Sequence, residues 1–167
     1  AAAMPLADLE TCQRNVIVLI ELARRLKMPV VVSEQYPKGL GPTTARLERA
    51  LAPLGDAVTR FEKLDFGCTN APPFARVFEI VGRSQWVVTG METHVCVYQT
   101  ARGLVGRGAT THVVRDAVCS RVAVNRDVGL SLCERAGAVI TCTETVVFDA
   151  LGRAGGEDFR AMSQLVK

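Results

Sequence analysis

The chain has 167 residues, of which 49% are hydrophobic, and a formal net charge of +3. This length and apolar content suit one domain over 1–167, and the scattered Lys and Arg residues disfavour a nucleic-acid partner. No apolar run reaches the roughly 18 residues of a membrane span. The six cysteines form no C-x-x-C pair and no cluster with histidines, which predicts reduced thiols, no metal and a cytoplasmic location, with a mitochondrial one left open.

Helical and strand patterns alternate along the chain, which predicts an α/β fold with a mostly parallel sheet and helices on both faces. In chain order, the predicted helices cover residues 8–27, 47–54, 75–81, 97–107, 124–136, 144–151 and 157–166. The predicted strands cover residues 30–34, 57–61, 85–89, 110–114 and 139–143, and a loop rich in Gly and Pro covers 36–43.

The first predicted element is a helix, whereas a domain of this kind normally opens on a buried strand. We therefore expect the sheet to lack its first strand. Because the loss of a central strand would leave unpaired strand edges, we interpret the chain as an N-terminally incomplete domain rather than as a variant form.

A tight turn that ends in a cysteine follows the strand predicted over 85–89. Gly90-Met91-Glu92-Thr93-His94-Val95-Cys96 leads into the helix predicted from Val97. Unpaired N–H groups at a helix N-terminus stabilise a thiolate, and they can also hold a developing oxyanion. The sequence thus makes Cys96 a candidate nucleophile. The alternative is that Cys96 is a small buried hydrophobe, as most free cysteines are.

Ligands of an open parallel sheet bind beyond the carboxyl ends of its strands. Cys96, Lys63 and the 34–43 loop all follow predicted strands, so we expect them to share one site. A lysine near a thiol favours the thiolate, although Lys63 could instead be a surface lysine paired with Glu62 or Asp65. His94 lies two residues before Cys96, whereas helical neighbours meet at three and four residues, so we expect it to line the turn or pocket.

Several segments carry a resemblance to known proteins. They are SEQYPKGLGPT at 33–43, FEKLDFGC at 61–68, TGMETHVCVYQTA at 89–101, DAVCSR at 116–121 and ETVVF at 144–148. In these segments the chain resembles the isochorismatase-like cysteine hydrolase superfamily, and more narrowly its small isochorismatase-domain proteins of unassigned substrate.

The resemblance implies a Rossmann-like three-layer sandwich and an Asp–Lys–Cys triad. Cys96 would be the nucleophile and Lys63 the triad lysine, and the backbone N–H groups of Glu92 and Cys96 would form the oxyanion hole. A non-proline cis peptide bond is implied at Met91–Glu92. The family's catalytic aspartate lies at the end of the first strand, and this chain lacks both that strand and its motif.

The resemblance also bears on the ligands. No cofactor is implied, and the absence of histidine from 33–39 disfavours a metal-dependent nicotinamidase. We expect a homo-oligomer and a small-molecule substrate. The residues expected to shape the substrate pocket are Gln35, Tyr36, Phe66, Met91, Tyr98 and Cys119.

Together these observations predict a hydrolase that attacks an amide-like or related C–N or C–O bond of a small molecule through a thioester on Cys96. Two other classes of protein stay open. One is a non-catalytic binding or assembly relative that keeps the fold and the pocket. The other is a redox-reactive thiol protein in which Cys96 is oxidised and then resolved by Cys68 or Cys119.

Overall fold

The computed structural model describes residues 8–167, so the first seven residues of the predicted 1–167 domain lie outside the described part. The helices are α1 (Leu9–Arg25), α2 (Pro37–Leu40), α3 (Ala45–Leu51), α4 (Phe74–Val81), α5 (Tyr98–Val105), α6 (Ala123–Arg135), α7 (Thr143–Leu151) and α8 (Gly156–Leu165). The strands are β1 (Val30–Gln35), β2 (Val58–Lys63), β3 (Gln85–Met91), β4 (Thr110–Cys119) and β5 (Val139–Thr141). Short 3-10 helical segments cover Ala52–Ala57 and Cys68–Asn70, and a π-helix covers Thr93–Val97.

The order of the predicted helices and strands agrees with the structure. The loop predicted over 36–43 contains the short helix α2, and the other main differences lie at the ends of elements. The largest concerns β4, which is predicted over 110–114 but continues to Cys119. Its pairing with β3 is irregular: Val88 lies opposite Val113, whereas Gly90 lies opposite Val118. Because this second stretch of pairing depends on a distant strand, the local sequence pattern does not reveal it. The irregularity brings residues 119–121 beside the turn that follows β3.

All strand pairings are parallel, but they form two sheets rather than the single predicted one. β1 pairs with β2, from Val30 opposite Val58 to Gln35 opposite Lys63, and a second sheet has the order β3-β4-β5. Among residues 8–167, no strand pairing joins the two sheets. No residue of β1 is fully buried, whereas a strand inside a parallel sheet is normally covered on both faces. The prediction of parallel pairing is therefore confirmed, whereas the absence of a further strand stays a prediction.

Two hydrophobic clusters cover the two faces of the three-stranded sheet. The larger one contains Phe74, Leu104, Val113 and Leu130, and it packs α4, α5 and α6 against the strands. The other joins α1, α7 and α8, with Val18, Leu22, Val147 and Met162 at its centre. Burial of these side chains is the main favourable term for the fold. Helices thus lie on both faces, as predicted for a three-layer sandwich.

No helix among the described residues has the length and the apolar content needed to cross a membrane.

Candidate active site

Lys63 lies at the end of β2 and is buried, with 6% of its surface exposed. Its Nζ donates to Gln35 Oε1 at 2.6 Å and to the carbonyl oxygens of Asp65 at 3.0 Å and Phe66 at 2.8 Å. These acceptors match the three N–H groups of an ammonium. Within residues 8–167, no carboxylate forms an ion pair with it. The alternative of a surface lysine paired with Glu62 or Asp65 is therefore wrong.

Cys96 lies inside the π-helix that connects β3 to α5, rather than at the first residue of an α-helix. Burial raises the pKa of the Cys96 thiol, and the charge of Lys63 and a hydrogen bond from the Glu92 backbone oppose this without reversing it. The net direction is opposite to the thiolate stabilisation expected from the sequence. The reason is that half-burial removes water from the sulfur, and this penalty exceeds the two favourable contacts. The Lys63 charge and the Glu92 N–H nevertheless both lower the pKa of this thiol.

The peptide bond between Met91 and Glu92 is cis, as the resemblance implies. Glu92 is buried, with 8% of its surface exposed, and its Oε1 accepts hydrogen bonds from the backbone N–H and the Nε of Arg121, both at 3.0 Å. Burial alone would raise the pKa of this carboxyl, but the Arg121 contacts outweigh it and the pKa lies below its ordinary value. The carboxylate is thus held as a structural anion, while the backbone N–H faces the thiol.

Ser120 and Arg121 belong to the site, although the sequence analysis assigned no role to either residue. They follow β4 directly and contact the turn that follows β3. Ser120 Oγ accepts a hydrogen bond from the Thr93 N–H at 3.1 Å and lies 3.1 Å from His94 Nδ1. The available signal was their position just after a predicted strand, in a segment that carries the family resemblance. His94 lines the turn, as expected.

The residues expected to shape the pocket divide into two groups. Tyr36 and Phe66 are exposed beside Lys63, and Tyr98 is half-buried with the guanidinium of Arg102 5.1 Å from its ring centre. Met91 is half-buried at the cis peptide bond.

Gln35 and Cys119 do not have the environment expected of residues that line a substrate pocket. The Gln35 amide is engaged at both ends, with Oε1 on Lys63 and Nε2 donating to the Leu64 carbonyl at 2.8 Å. Cys119 is fully buried, and a hydrogen bond with Cys12 lowers its pKa while raising that of Cys12. The expectation that Cys119 lines the pocket is wrong, because the extension of β4 places its side chain in the interior.

Cys68 is the second thiol beside Cys96. Its Sγ lies 3.1 Å from Ser33 Oγ, and its backbone N–H donates to Thr100 Oγ1 at 2.9 Å, one helical turn beyond Cys96. The negative charge that Cys68 would carry when ionised contributes to the raised pKa of Cys96. Of the two proposed resolving cysteines, Cys68 is therefore the one that faces the site.

Within residues 8–167, no group of three or more His, Cys, Asp and Glu side chains is arranged to hold a metal ion.

Comparison with known proteins identifies the family of this chain. The model of the isochorismatase domain matches residues 3–145. This chain belongs to the isochorismatase family. It is 38% identical to isochorismatase domain-containing protein 1 of Danio rerio over 89% of the chain and 51% of that protein. It is 34% identical to the secreted isochorismatase effector Isc1 of Phytophthora sojae, over 96% of the chain and 76% of the effector. The chain thus spans about half the length of the first of these relatives.

Solved structures show the same isochorismatase fold. The MAR1 ribonuclease from Caenorhabditis elegans is 32% identical, with a TM-score of 0.88 over 97% of this chain and 81% of that chain. The YcaC gene product of Escherichia coli, described as an octameric hydrolase of unknown specificity, is 19% identical, with a TM-score of 0.81 over 89% of this chain and 73% of that chain. At that level of identity the second likeness concerns the fold alone.

Proposed function

We propose that this isochorismatase domain is a cysteine hydrolase that acts on an amide-like or related C–N or C–O bond of a small molecule. The observation that carries the proposal is the buried Lys63 ammonium, which has no carboxylate partner among the described residues and whose charge acts on the Cys96 sulfur together with the Glu92 N–H. The charge of Lys63 and the hydrogen bond from Glu92 both favour the Cys96 thiolate. Groups of this kind around a half-buried cysteine are typical of nucleophiles.

In the proposed reaction, the Cys96 thiolate attacks the carbonyl carbon and its electron pair forms the C–S bond. The carbonyl oxygen becomes an oxyanion, to which the Glu92 N–H donates. Collapse of this intermediate breaks the C–N or C–O bond, and the leaving group takes up a proton. Water then hydrolyses the thioester and restores the thiol.

Lys63 contributes to this reaction through its charge rather than by giving up a proton. Each of its N–H groups already has an acceptor in Gln35, Asp65 or Phe66. An ammonium without a carboxylate partner keeps its field available for the thiolate and for the oxyanion.

The first proton leaves Cys96 to solvent, because the described residues offer no suitable base. Glu92 is the buried carboxylate nearby, and Arg121 holds its pKa below the ordinary value. We therefore propose that the family's catalytic aspartate has no equivalent among residues 8–167. Since burial raises the pKa of Cys96, the fraction of thiolate, and with it the rate, should rise with pH into the alkaline range.

The test is alkylation of the native protein by iodoacetamide from pH 6 to pH 10, with the rate at each cysteine followed by mass spectrometry. Lys63→Met removes the ammonium and keeps the side-chain length. We expect it to slow alkylation of Cys96 roughly tenfold at fixed pH, which corresponds to one pKa unit. Lys27→Met is the matched control, since Lys27 is exposed just beyond α1, before β1 begins. An unchanged Cys96 rate in Lys63→Met would overturn the proposal.

A second measurement separates hydrolysis from the other two classes. With p-nitrophenyl acetate as the probe, the proposal expects an acetyl group on Cys96 that Cys96→Ser abolishes. A reactive Cys96 that never acylates would favour the binding or assembly relative. A peroxide-induced link between Cys96 and Cys68 without acylation would favour the redox protein.

The ligand class, assembly and location stay predictions of the same proposal. We infer a small-molecule substrate, no cofactor, no metal and no nucleic acid, although one structural relative carries the name of a ribonuclease. Incubation with single-stranded and duplex RNA oligonucleotides tests this directly, and cleavage that Cys96→Ser abolishes would contradict it. Self-association, for which the octameric fold neighbour is a precedent, is checked by light scattering. A cytoplasmic location is checked by imaging the protein in its source cells.

A further inference from the structure

The turn that carries the Glu92 N–H is fastened to the end of β4 by hydrogen bonds that the proposed reaction does not use. The Thr93 N–H donates to Ser120 Oγ at 3.1 Å, and Thr93 Oγ1 donates to the Cys119 carbonyl at 3.0 Å. Thr93 is fully buried and Ser120 is 1% exposed. Because no solvent can replace these bonds, the turn depends on them for its position.

The Ser120 hydroxyl has two neighbours in this turn. It accepts the Thr93 N–H, so its own hydrogen is free to donate to His94 Nδ1, 3.1 Å away. One hydroxyl therefore links two consecutive residues of the turn to the strand.

Helix α6 packs against the other side of this turn, away from Ser120. A Cβ added at Gly129 would lie 2.6 Å from the Thr93 carbonyl carbon and 2.6 Å from the His94 nitrogen. The turn is thus held between Ser120 and the backbone of Gly129, with no room to move toward α6.

These contacts determine the direction of the Glu92 N–H. The Glu92 side chain is anchored on Arg121, and its carbonyl oxygen accepts hydrogen bonds from the N–H groups of Val95 at 3.2 Å and Val97 at 3.1 Å. The peptide unit that follows Glu92 is therefore fixed at its carbonyl by the π-helix and at its N–H by Ser120. With the side chain and this peptide unit both fixed on the tetrahedral Cα, the position of the Glu92 nitrogen is fixed. The residue before it, Met91, lies opposite Cys119 in the sheet, so rotation about the N–Cα bond is restricted as well and the N–H stays directed at Cys96.

We propose that Ser120 is a positioning residue, whose hydroxyl fixes the Glu92–Thr93–His94 turn so that the Glu92 N–H points at the Cys96 sulfur and at the oxyanion formed there. The inference rests on the proposed function, in which this N–H is the oxyanion donor. Ser120 itself does not touch the reacting atoms.

The test compares Ser120→Ala with wild type in the iodoacetamide pH profile and in acylation by p-nitrophenyl acetate. Ser120→Ala changes no charge, so any change in the Cys96 profile reports the geometry of the turn. We expect alkylation at fixed pH to slow about three- to tenfold, as the loss of one neutral hydrogen bond would give, and acylation to slow at least as much. Ser120→Thr keeps the hydroxyl and should restore most of both rates.

Thr111→Val is the matched control. Thr111 is 1% exposed and its hydroxyl donates to the Ala109 carbonyl at 3.2 Å, but it lies at the opposite end of β4. This variant should lose stability to urea without a change in the Cys96 profile. A Ser120→Ala protein that is less stable but has the wild-type Cys96 profile would overturn the inference.

If Ser120→Ala does not fold, Glu92 supplies a second pair of variants. Glu92→Gln keeps an acceptor for Arg121, and both Glu92→Gln and Glu92→Ala remove the negative charge that opposes the Cys96 thiolate. Anchoring of the turn therefore predicts slower alkylation in Glu92→Ala than in Glu92→Gln, and equal rates would overturn it. If Glu92→Ala and Glu92→Gln are alkylated at equal rates while Lys63→Met still slows alkylation of Cys96, only this inference fails. If Lys63→Met leaves the alkylation rate of Cys96 unchanged, the proposed function itself fails.

Discussion

The two sheets bring oppositely charged buried groups to the candidate site, and they treat these charges differently. On the two-stranded sheet, the Lys63 ammonium is surrounded by neutral oxygens. On the three-stranded sheet, the Glu92 carboxylate is paired with Arg121 through a side-chain and a backbone contact. A buried charge that is neutralised contributes to structure, whereas one that is not neutralised keeps its field for chemistry. The comparison therefore places the unpaired charge at the end of the two-stranded sheet, and the paired charge that holds the cysteine turn at the end of the three-stranded sheet.

The two sheets also differ in how closely their neighbours pack at the site. The turn after β3 touches the backbone of α6 at Gly129, where even a methyl group has no room. Around Lys63, in contrast, the side chains of Tyr36, Leu64 and Phe66 are exposed. The turn that carries the proposed oxyanion donor is thus closely packed, whereas the surroundings of Lys63 form an open apolar rim, as the proposed small-molecule site would require.

The largest effect is expected from Gly129→Ala, which tests the rigidity of the three-stranded side. The added Cβ would collide with backbone atoms of Thr93 and His94, so either α6 or the turn must shift. Overpacking of this kind destabilises by about 1–3 kcal/mol. We expect a lower urea midpoint together with slower alkylation of Cys96.

Gly106→Ala is the control for Gly129→Ala. Gly106 ends α5 with helical dihedral angles, and an added Cβ would make an ordinary contact of 3.4 Å with the Arg102 carbonyl oxygen. This change should be neutral or slightly stabilising. If Gly129→Ala behaved like Gly106→Ala, the turn would be free to move and the contrast between the two sides would not hold.

The parts of this site that the sequence predicted are those that depend on local pattern. Alternating strands and helices place the ends of parallel strands at one edge, which was enough to bring Cys96 and Lys63 together as candidates. The family resemblance added the Glu92 N–H and the cis peptide bond. Burial of Lys63 was undecided, because a single lysine after a strand looks the same whether it points inward or outward.

The parts that the sequence missed depend on distant pairing. The extension of β4 to Cys119 comes from a register irregularity against β3, and it moves Cys119 into the interior and Ser120 and Arg121 to the turn. The direction of the Cys96 pKa shift was missed for a related reason. The helix terminus was visible in the pattern, but the burial that outweighs it is a tertiary property.

A smaller effect on stability is expected at the contact between α5 and the segment that follows β2. This contact joins the two-stranded and the three-stranded side of the site. Thr69 is buried, and its Oγ1 is the one buried side-chain oxygen or nitrogen in the described part of the chain without a hydrogen-bond partner. Thr69→Val keeps the shape and removes this unsatisfied group, so we expect stabilisation by about 1 kcal/mol in urea unfolding.

Thr100→Val is the matched change on the α5 side of this contact. Thr100 is buried to a similar degree, but its Oγ1 accepts the Cys68 N–H, so its replacement should destabilise by about 1 kcal/mol. Equal effects of the two variants would mean that burial alone, and not the hydrogen bond, distinguishes these threonines.

The smallest effect is expected for the loss of stability in acid. This measurement compares two carboxylates, Glu34 and Glu92, each of which holds a loop in place. The N–H and the hydroxyl of Thr43 lower the pKa of Glu34 on β1, and the Arg121 contacts lower that of Glu92 against the effect of burial. A carboxyl whose pKa is lower in the folded state stabilises at pH values above its unfolded pKa, and this contribution is lost as the pH falls through its folded pKa. Both Glu34→Gln and Glu92→Gln should therefore flatten the loss of stability below about pH 4.5.

Urea unfolding from pH 7 to pH 3 measures this dependence, and Cys96 alkylation at neutral pH adds the contrast between the sheets. Glu92→Gln should change both readouts, because its charge opposes the Cys96 thiolate. Glu34→Gln should change only the acid dependence, since Glu34 holds Thr43 rather than the turn. A Glu34→Gln protein with an altered Cys96 profile would mean that the loop after β1 and the cysteine turn move together, and the two sheets would then not contribute independently to the site.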